Sequence, residues 1–180
     1  MAYSSDGIQF INEALIVTDL ERSVRFYCEV FGFTKGTHLH REGEAGSSLA
    51  ITAGTPEGCR YHIQILARPD IIVGMGQMEV PESVSRMIRD PLFRVARGIA
   101  FTFYCPDINA TAARAEELGG KIVYEGMSST KDADGQLKPT VILHDPDGYR
   151  IQLSPIPLEK MRPMMMSSPH AESQLFNVKK

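Results

Sequence analysis

The pattern of apolar positions at the start of the chain predicts one strand followed by one helix. Residues 10–17 are rich in apolar side chains, which predicts a strand. Thr18 and Glu21 have the spacing of a capping box, so a helix is predicted to begin there. Gly32 is placed to end that helix. Apolar residues recur between these signals at helical spacing and predict one buried face, formed by Leu20, Val24, Tyr27 and Phe31.

Three strands are predicted after this helix, at residues 34–41, 48–53 and 60–66, with turn-rich stretches between them. The second half of the chain repeats the order. A strand at 99–104 precedes Asp107, the predicted N-cap of a second helix that ends at Gly119 and Gly120. Its apolar face is predicted at Ile108, Ala112, Ala115 and Leu118. Strands at 121–125, 140–144 and 149–153 complete the second half.

The two halves share a register. Asp19 precedes Gln64 by 45 residues (64 − 19), and Asp107 precedes Gln152 by 45 residues (152 − 107). Both glutamines stand between aliphatic residues in predicted strands. An internal repeat of this kind predicts two copies of one structural unit. The predicted fold class is therefore α+β, with two βαβββ modules in one chain, each a curled mixed sheet with a helix on its outer face.

The repeat also predicts the organisation of a single 180-residue domain. Module one is assigned to residues 8–66 and module two to residues 98–155. The inter-module segment 67–97 contains five Gly or Pro residues that predict mostly loop, with a short helix at 82–88. The C-terminal arm, residues 156–180, is Met-rich and has no clear period. It is predicted to be mobile or to pack on a partner.

Composition narrows the possible partners. The chain has 19 Lys and Arg against 22 Asp and Glu, a net charge of -3, so nucleic acid and anionic membrane are not expected partners. No apolar run reaches the length of a membrane span, and no signal peptide is recognised. Cys28, Cys59 and Cys105 are odd in number and widely spaced. Buried reduced thiols and a cytoplasmic location are therefore expected.

Three segments carry a family resemblance. Residues 17–33, from Val-Thr-Asp-Leu-Glu to Val-Phe-Gly-Phe, are similar to the first strand and helix of the vicinal oxygen chelate superfamily. Residues 115–120 and 145–153, the latter Asp-Pro-Asp-Gly-Tyr-Arg-Ile-Gln-Leu, resemble the second helix end and the closing turn and strand. This superfamily contains glyoxalase I, bleomycin-resistance proteins and extradiol dioxygenases. The resemblance covers residues 11–153 apart from the inter-module segment.

The resemblance implies a cleft lined by curled sheets, in which a substrate or a cofactor is bound. Four side chains, one from the first and one from the last strand of each module, usually hold a divalent metal in this superfamily. They are typically His or Gln, Glu, His and Glu. The matching positions here are Asn12, Gln64, Gly98 and Gln152, none of which is a carboxylate or an imidazole. Because divalent metals need such ligands, the usual metal site is predicted to be absent and no cofactor is expected.

A polar set within apolar walls is predicted instead. If Gln64 and Gln152 face the cleft as the resemblance implies, strand alternation adds His62 and Arg150. The predicted ligand-binding residues are Asn12, His62, Gln64, Thr102, Arg150 and Gln152, with Ala14, Ile16, Ala100 and Ile142 as walls. His62 and His144 are the candidate catalytic acid or base, and Arg150 is a candidate partner for a carboxylate.

Simpler interpretations stand beside these. On these interpretations, the two glutamine amides form hydrogen bonds with each other or with water, and His62 is a half-buried histidine whose hydrogen bonds are satisfied. His144 then faces solvent, and Arg150 forms an ion pair with an acidic residue. His38 and His40 share one face of a strand, but no carboxylate is placed beside them, so a metal site there is not expected.

Three functions remain open. The first is a metal-free protein that binds a small hydrophobic or aromatic molecule in the cleft between the modules. The second is a metal-free isomerase, lyase or cyclase that uses His62 or His144 as a base. The third is a metal-dependent glyoxalase, epimerase or dioxygenase with displaced ligands, so a divalent metal stays open on this alternative. A homodimer is expected in each case.

Overall fold

The structure, a computed structural model, describes residues 13–42, 60–79, 100–131, 135–157 and 159–160. The chain divides into two compact units, Met1–Arg97 and Gly98–Lys180. Each unit contains one helix and one four-stranded mixed sheet among its described residues. The predicted α+β fold with two βαβββ modules is confirmed.

The first unit carries a sheet in which the last strand lies between the first and the third. Strands β1 and β4 are parallel, and β4–β3 and β3–β2 are antiparallel, giving the order β1-β4-β3-β2. The elements are β1 (Glu13–Val17), α1 (Leu20–Phe31), β2 (Thr34–Glu42), β3 (Arg60–Arg68) and β4 (Ile71–Glu79).

Helix α1 has well-defined ends. Its N-cap is Asp19, whose carboxylate accepts a hydrogen bond from Arg22 N at 3.0 Å. The cap is one residue later than the predicted capping box, and Thr18 Oγ1 accepts from the Arg22 side chain instead. Gly32 ends the helix at a φ of 68°, a conformation that favours glycine, as predicted.

Helix α1 packs on one face of its sheet. Gln77 Oε1 in β4 accepts a hydrogen bond from Leu20 N at 2.8 Å, and Arg68 donates to Phe31 O at 2.7 Å. Alternate strand residues on the same face as Gln77 are buried against the aromatic side of the helix. This core contains Leu15, Val17, Leu66, Val73 and Met75 from the sheet, with Val24, Phe26, Tyr27 and Phe31 from α1.

Strand β4 was not predicted from the sequence. Residues 71–79 lie in the segment predicted to be mostly loop, yet they pair along their whole length with β3 and in part with β1. Consequently β3 is the third strand of the module and not its last. The predicted strand at 48–53 and the predicted helix at 82–88 lie outside the described residues.

The second unit repeats the first. Its sheet has the order β5-β8-β7-β6, with β5 and β8 parallel and the other pairs antiparallel. The elements are β5 (Ala100–Tyr104), α2 (Ile108–Glu117), β6 (Lys121–Lys131), β7 (Leu137–His144) and β8 (Arg150–Ser154). Asp107 caps α2 as predicted, accepting from Ala110 N at 2.9 Å. The core contains Phe103, Val141, Leu143, Ile151 and Leu153 with Ile108, Ala112 and Ala115.

A buried turn joins β7 to β8. Asp145 Oδ1 accepts from Asp147 N at 2.9 Å and from Tyr149 N at 2.8 Å. Gly148 adopts a φ of 87°, which lets the turn close. The turn fixes where β8 begins and therefore which residues of β8 face each side of the sheet. No helix among the described residues is long and apolar enough to cross a membrane.

Candidate functional site

The two modules can be matched residue by residue through their helix caps. Leu15 lies four residues before Asp19 (19 − 15), and Phe103 lies four residues before Asp107 (107 − 103). Leu15 is paired with Met75, and Phe103 is paired with Leu153. Met75 therefore matches Leu153, and Gly74 matches Gln152. The last-strand position of module one, which was assigned to Gln64, falls on Gly74.

Gln64 lies in β3, on the face of the sheet that carries the α1 core. It is paired with the buried Met75, which sits on that face. Its side chain is only 9% exposed, and Nε2 donates to the carbonyl oxygens of Gly36 at 2.9 Å, Thr37 at 3.3 Å and Ile65 at 3.0 Å. Strand β2 shifts register next to these carbonyls. The Gln64 amide thus donates to backbone carbonyls beside a register shift of β2, and its predicted alignment with Gln152 is wrong.

His62 shares this face of β3, since it lies two residues from Gln64. It is half-buried, its Nε2 lies 3.4 Å from Glu79 Oε1, and the ring centroids of His38 and His62 are 6.3 Å apart. The structure therefore groups His62 with Glu79 and His38, near Gln77, and not with Ala14 or Ile16. Its predicted role as a ligand-binding or catalytic residue remains a prediction.

The opposite face of the first sheet is apolar and has no helix packed on it among the described residues. Ile16, Ile63 and Ile65 contribute side chains to it, and Gly74 and Gly76 lie between them on β4. A Cβ at Gly74 would meet Ile65 Cδ1 at 3.6 Å, and one at Gly76 would meet Ile16 Cδ1 at 3.6 Å. Both are ordinary contacts, so the described chain itself does not require glycine at either position. Ala14 and Ile16, the predicted walls, do lie on this face.

In the second unit, the residues predicted from the sequence come together. Gln152 is paired with Thr102 on one side and with Ile142 on the other, and Arg150 is paired with Ala100 and His144. Because paired residues share a face, all of them lie on the face of the sheet opposite the α2 core. We call this group of residues the β8 face; it consists of Ala100, Thr102, Ile142, His144, Arg150 and Gln152.

A residue absent from the sequence analysis completes the β8 face. Thr140 is 4% exposed, and its hydroxyl donates to Leu153 O at 3.0 Å. Gln152 Nε2 donates to the same hydroxyl oxygen at 3.2 Å. A sequence signal was available, since Thr140 lies two residues before Ile142 in a predicted strand and so shares its face.

The donor set does not fit the usual metal of the superfamily. Asn12 and Gly98 lie outside the described residues, Gly74 has no side chain, and Gln152 offers a neutral amide. In the part of the chain that the structure describes, no group of three or more His, Cys, Asp or Glu is arranged to hold a metal ion. Neutral amide oxygens without charged partners bind divalent metals weakly.

Comparison with solved structures gives the fold. A glyoxalase family protein from Bacillus cereus is 16% identical with a TM-score of 0.62, over 84% of this chain and 97% of that chain. The fosfomycin resistance protein FosX from Listeria monocytogenes is 14% identical with a TM-score of 0.53, over 87% and 98% of the two chains. A glyoxalase I mutant from Zea mays is 18% identical with a TM-score of 0.50, over 81% of this chain and 44% of that chain.

Comparisons of sequence identify the superfamily through a family model and not through an individual curated protein. No curated protein matches the chain. The family model of the Glyoxalase/Bleomycin resistance protein/Dioxygenase superfamily matches residues 7–153, a range that includes every described strand of both sheets except the last residue of β8. The chain therefore belongs to the Glyoxalase/Bleomycin resistance protein/Dioxygenase superfamily.

Proposed function

We propose that this protein binds a small hydrophobic or aromatic molecule without the metal that its superfamily usually uses. The observation that carries the proposal is the match between Gly74 and Gln152. At the last-strand position of each module, where a glutamate typically binds the metal, one module has no side chain and the other has a neutral amide. Losing both charged ligands removes the attraction that offsets dehydration of a divalent ion.

The apolar face of the first sheet supports a hydrophobic ligand. Glycine inside a strand costs stability relative to a residue with a side chain, and it often marks a place where another molecule approaches the backbone. Gly74 and Gly76 are both glycines that the described chain does not require, and isoleucine side chains flank them. Ile63, Gly74 and Gly76 are already buried, whereas Ile16 and Ile65 are partly exposed, so a flat apolar group would lie against these two isoleucines.

The polar β8 face supports selectivity for an oriented molecule. Thr102, Arg150 and Gln152 supply a hydroxyl, a cation and an amide on one face. A few polar groups among apolar walls fix the orientation of a bound molecule. Binding in the cleft between the modules, and contributions from Asn12, His62 and Gln64, stay predictions.

Elemental analysis tests the absence of the metal. The purified full-length protein is dialysed in turn against zinc, nickel, manganese and iron(II), and the bound metal is then measured. Far less than one ion per chain is expected for each metal. The Gln152→Glu variant, treated alike, reports whether restoring one carboxylate is sufficient for binding. One tightly held ion per wild-type chain would overturn the proposal and favour the metal-dependent alternative.

A second candidate function is a metal-free isomerase, lyase or cyclase. His144 is paired with Arg150 in neighbouring strands, so an imidazole and a guanidinium lie on one face. Such a pair suits removal of a proton beside a carboxylate or a carbonyl. His62 lies on the helix-facing side of the first sheet, which makes His144 the better candidate base.

Thermal-shift screening of aromatic and polyketide-like compounds separates a binder from an enzyme. Each compound that stabilises the protein is recovered and analysed by mass spectrometry. Recovery of unchanged compound supports binding. Conversion that is lost in His144→Ala, but retained in His62→Ala, would replace the binding function with the enzymatic one.

We further propose that the protein is a cytoplasmic homodimer. The cytoplasmic location is argued from the three widely spaced cysteines of the sequence, an arrangement that favours a reducing compartment. Light scattering coupled to gel filtration is expected to give twice the chain mass of 20.0 kDa. A mass equal to one chain at micromolar concentration would contradict the dimer.

A further inference from the structure

The hydrogen bonds around Thr140 determine which way the Gln152 amide points. A threonine hydroxyl has one proton. Here it is directed to the Leu153 carbonyl, which can only accept. Toward Gln152 the hydroxyl oxygen must therefore act as an acceptor, and the atom 3.2 Å from it must be the amide nitrogen. Exchanging the nitrogen and oxygen of this amide would set two acceptors against each other.

The carbonyl oxygen of Gln152 is consequently the atom presented away from Thr140. No partner for Oε1 is found among the described residues, and the side chain is half-buried on the β8 face. Thr140 itself is almost fully buried, so its hydroxyl has no ready alternative in solvent. The pair thus holds an acceptor in a fixed direction, where the rest of the superfamily typically holds a negatively charged oxygen.

We infer that Thr140 is a positioning residue that makes Gln152 a selective acceptor, and that the ligand group bound there is a hydrogen-bond donor such as a phenolic hydroxyl. This inference rests on the proposed function and names the class of ligand. An acceptor oxygen binds a hydroxyl but gives nothing to a methyl ether of the same shape, and a half-buried acceptor left unpaired weakens binding.

Arg150 adds a second point of recognition. It lies two residues from Gln152 on the same strand, so the two Cα atoms are separated by about 7 Å along the β8 face. No ion pair of Arg150 is found among the described residues. A guanidinium binds carboxylates. A ligand with a hydroxyl for Gln152 and a carboxylate for Arg150 would engage both side chains, so the ligand class we infer is an aromatic hydroxy acid.

The orientation of the amide is tested without any ligand. In nitrogen-15-labelled full-length protein, one Gln152 side-chain amide proton is expected to exchange slowly with solvent. Thr140→Val keeps the shape but removes the acceptor, and is expected to raise that exchange rate at least about tenfold. Thr140→Ser is expected to preserve it. An exchange rate that is unchanged in Thr140→Val would overturn the positioning role.

Selectivity is tested with a matched pair of probes, 4-hydroxybenzoate and 4-methoxybenzoate, by calorimetry. The hydroxyl compound is expected to bind at least about tenfold more tightly to the wild-type protein. The difference is expected to disappear in Thr140→Val and to survive in Thr140→Ser. Equal binding of the two probes, or binding of neither, would overturn the ligand class. The amide exchange result would still stand, and the metal analysis judges the proposed function separately.

Discussion

Gln64 and Gln152 have similar neighbours in sequence but opposite tasks in the structure. Gln64 donates its amide protons to three backbone carbonyls beside the register shift of β2, whereas Gln152 donates to a single side chain, Thr140. The first arrangement serves the fold, because it ties the almost fully buried Gln64 side chain to the backbone where β2 shifts register. The second leaves an oxygen directed elsewhere and is the better candidate for recognition.

Replacing Gln64 should therefore destabilise the protein more than replacing Gln152. Gln64→Leu removes the donor to Gly36, Thr37 and Ile65 and is expected to lower the free energy of unfolding by about 1–3 kcal/mol. Gln152→Leu, the matched control, is expected to cost less, since only one side-chain hydroxyl loses its partner. Urea denaturation measures both values. Equal losses would show that the Gln64 amide does not stabilise this part of the β2–β3 pairing.

The thiol of Cys28 offers a separate test at the residue scale. Burial raises its pKa, the Lys35 charge lowers it and the Glu29 charge raises it, with burial the largest cause. A raised pKa leaves less thiolate at any given pH, so alkylation of folded Cys28 by iodoacetamide should be slow at pH 8 and accelerate as the pH rises further.

Peptide mass spectrometry follows this alkylation, with the urea-unfolded chain as the reference. Glu29→Gln is expected to speed the reaction and Lys35→Gln to slow it, because each removes one of the two opposing charges. If folded Cys28 reacts as fast as the unfolded chain at pH 8, the inferred shift of its pKa is wrong.

At the scale of elements, β4 shows the largest difference between expectation and structure. It has β4–β3 pairs on one side and β4–β1 pairs on the other, which makes it an interior strand of the first sheet. Amide hydrogens of residues 73–76 are expected to exchange slowly in hydrogen-exchange mass spectrometry. The amide of Asp70, in the turn before β4, serves as the fast-exchanging reference. Equal exchange at the two places would contradict the strand.

The sequence was sufficient for both helices and for most of the second sheet, for physical reasons. Asp107 and Gly32 have local roles that need no tertiary information, and the alternation of apolar and polar residues in β8 is a local signal of a strand with one buried face. Strand β4 was missed because Gly74 and Gly76 resemble loop residues. Gln64 was misassigned because a longer connection before β3 places Gly74 at 55 residues from Asp19 (74 − 19), although Gln64 shows the expected spacing of 45 (64 − 19).

Most of the β8 face could be grouped from the sequence, whereas in the first module only the wall residues Ala14 and Ile16 were grouped correctly. The family resemblance placed Gln152 in the cleft and strand alternation added Arg150. The strand register brings both to one face with Thr102 and Ile142. The dependence of Gln152 on Thr140 could not be predicted, because it requires knowing that Leu153 O takes the hydroxyl proton. A strand pattern gives the face on which a side chain lies but not its hydrogen-bond partners.

At the scale of the whole molecule, charge gives a simple expectation. With 19 basic and 22 acidic residues the chain lacks the cationic surplus that drives nucleic-acid binding. A fluorescent DNA duplex is expected to show no change in anisotropy at about 0.15 M salt with micromolar protein. A salt-dependent rise in anisotropy would reveal a local basic surface that the net charge conceals.

The space above Gly74 has a consequence for how this protein relates to its metal-binding relatives. The first carbon of a side chain there would touch Ile65 Cδ1 at 3.6 Å and Glu13 O at 3.8 Å, without displacing either. The backbone is therefore compatible with glycine and with a larger residue at the same point. A lineage could gain or lose the carboxylate here by single replacements while keeping both sheets intact. Gly74→Glu and Gln152→Glu are accordingly the two replacements with which a directed-evolution experiment towards metal binding would begin.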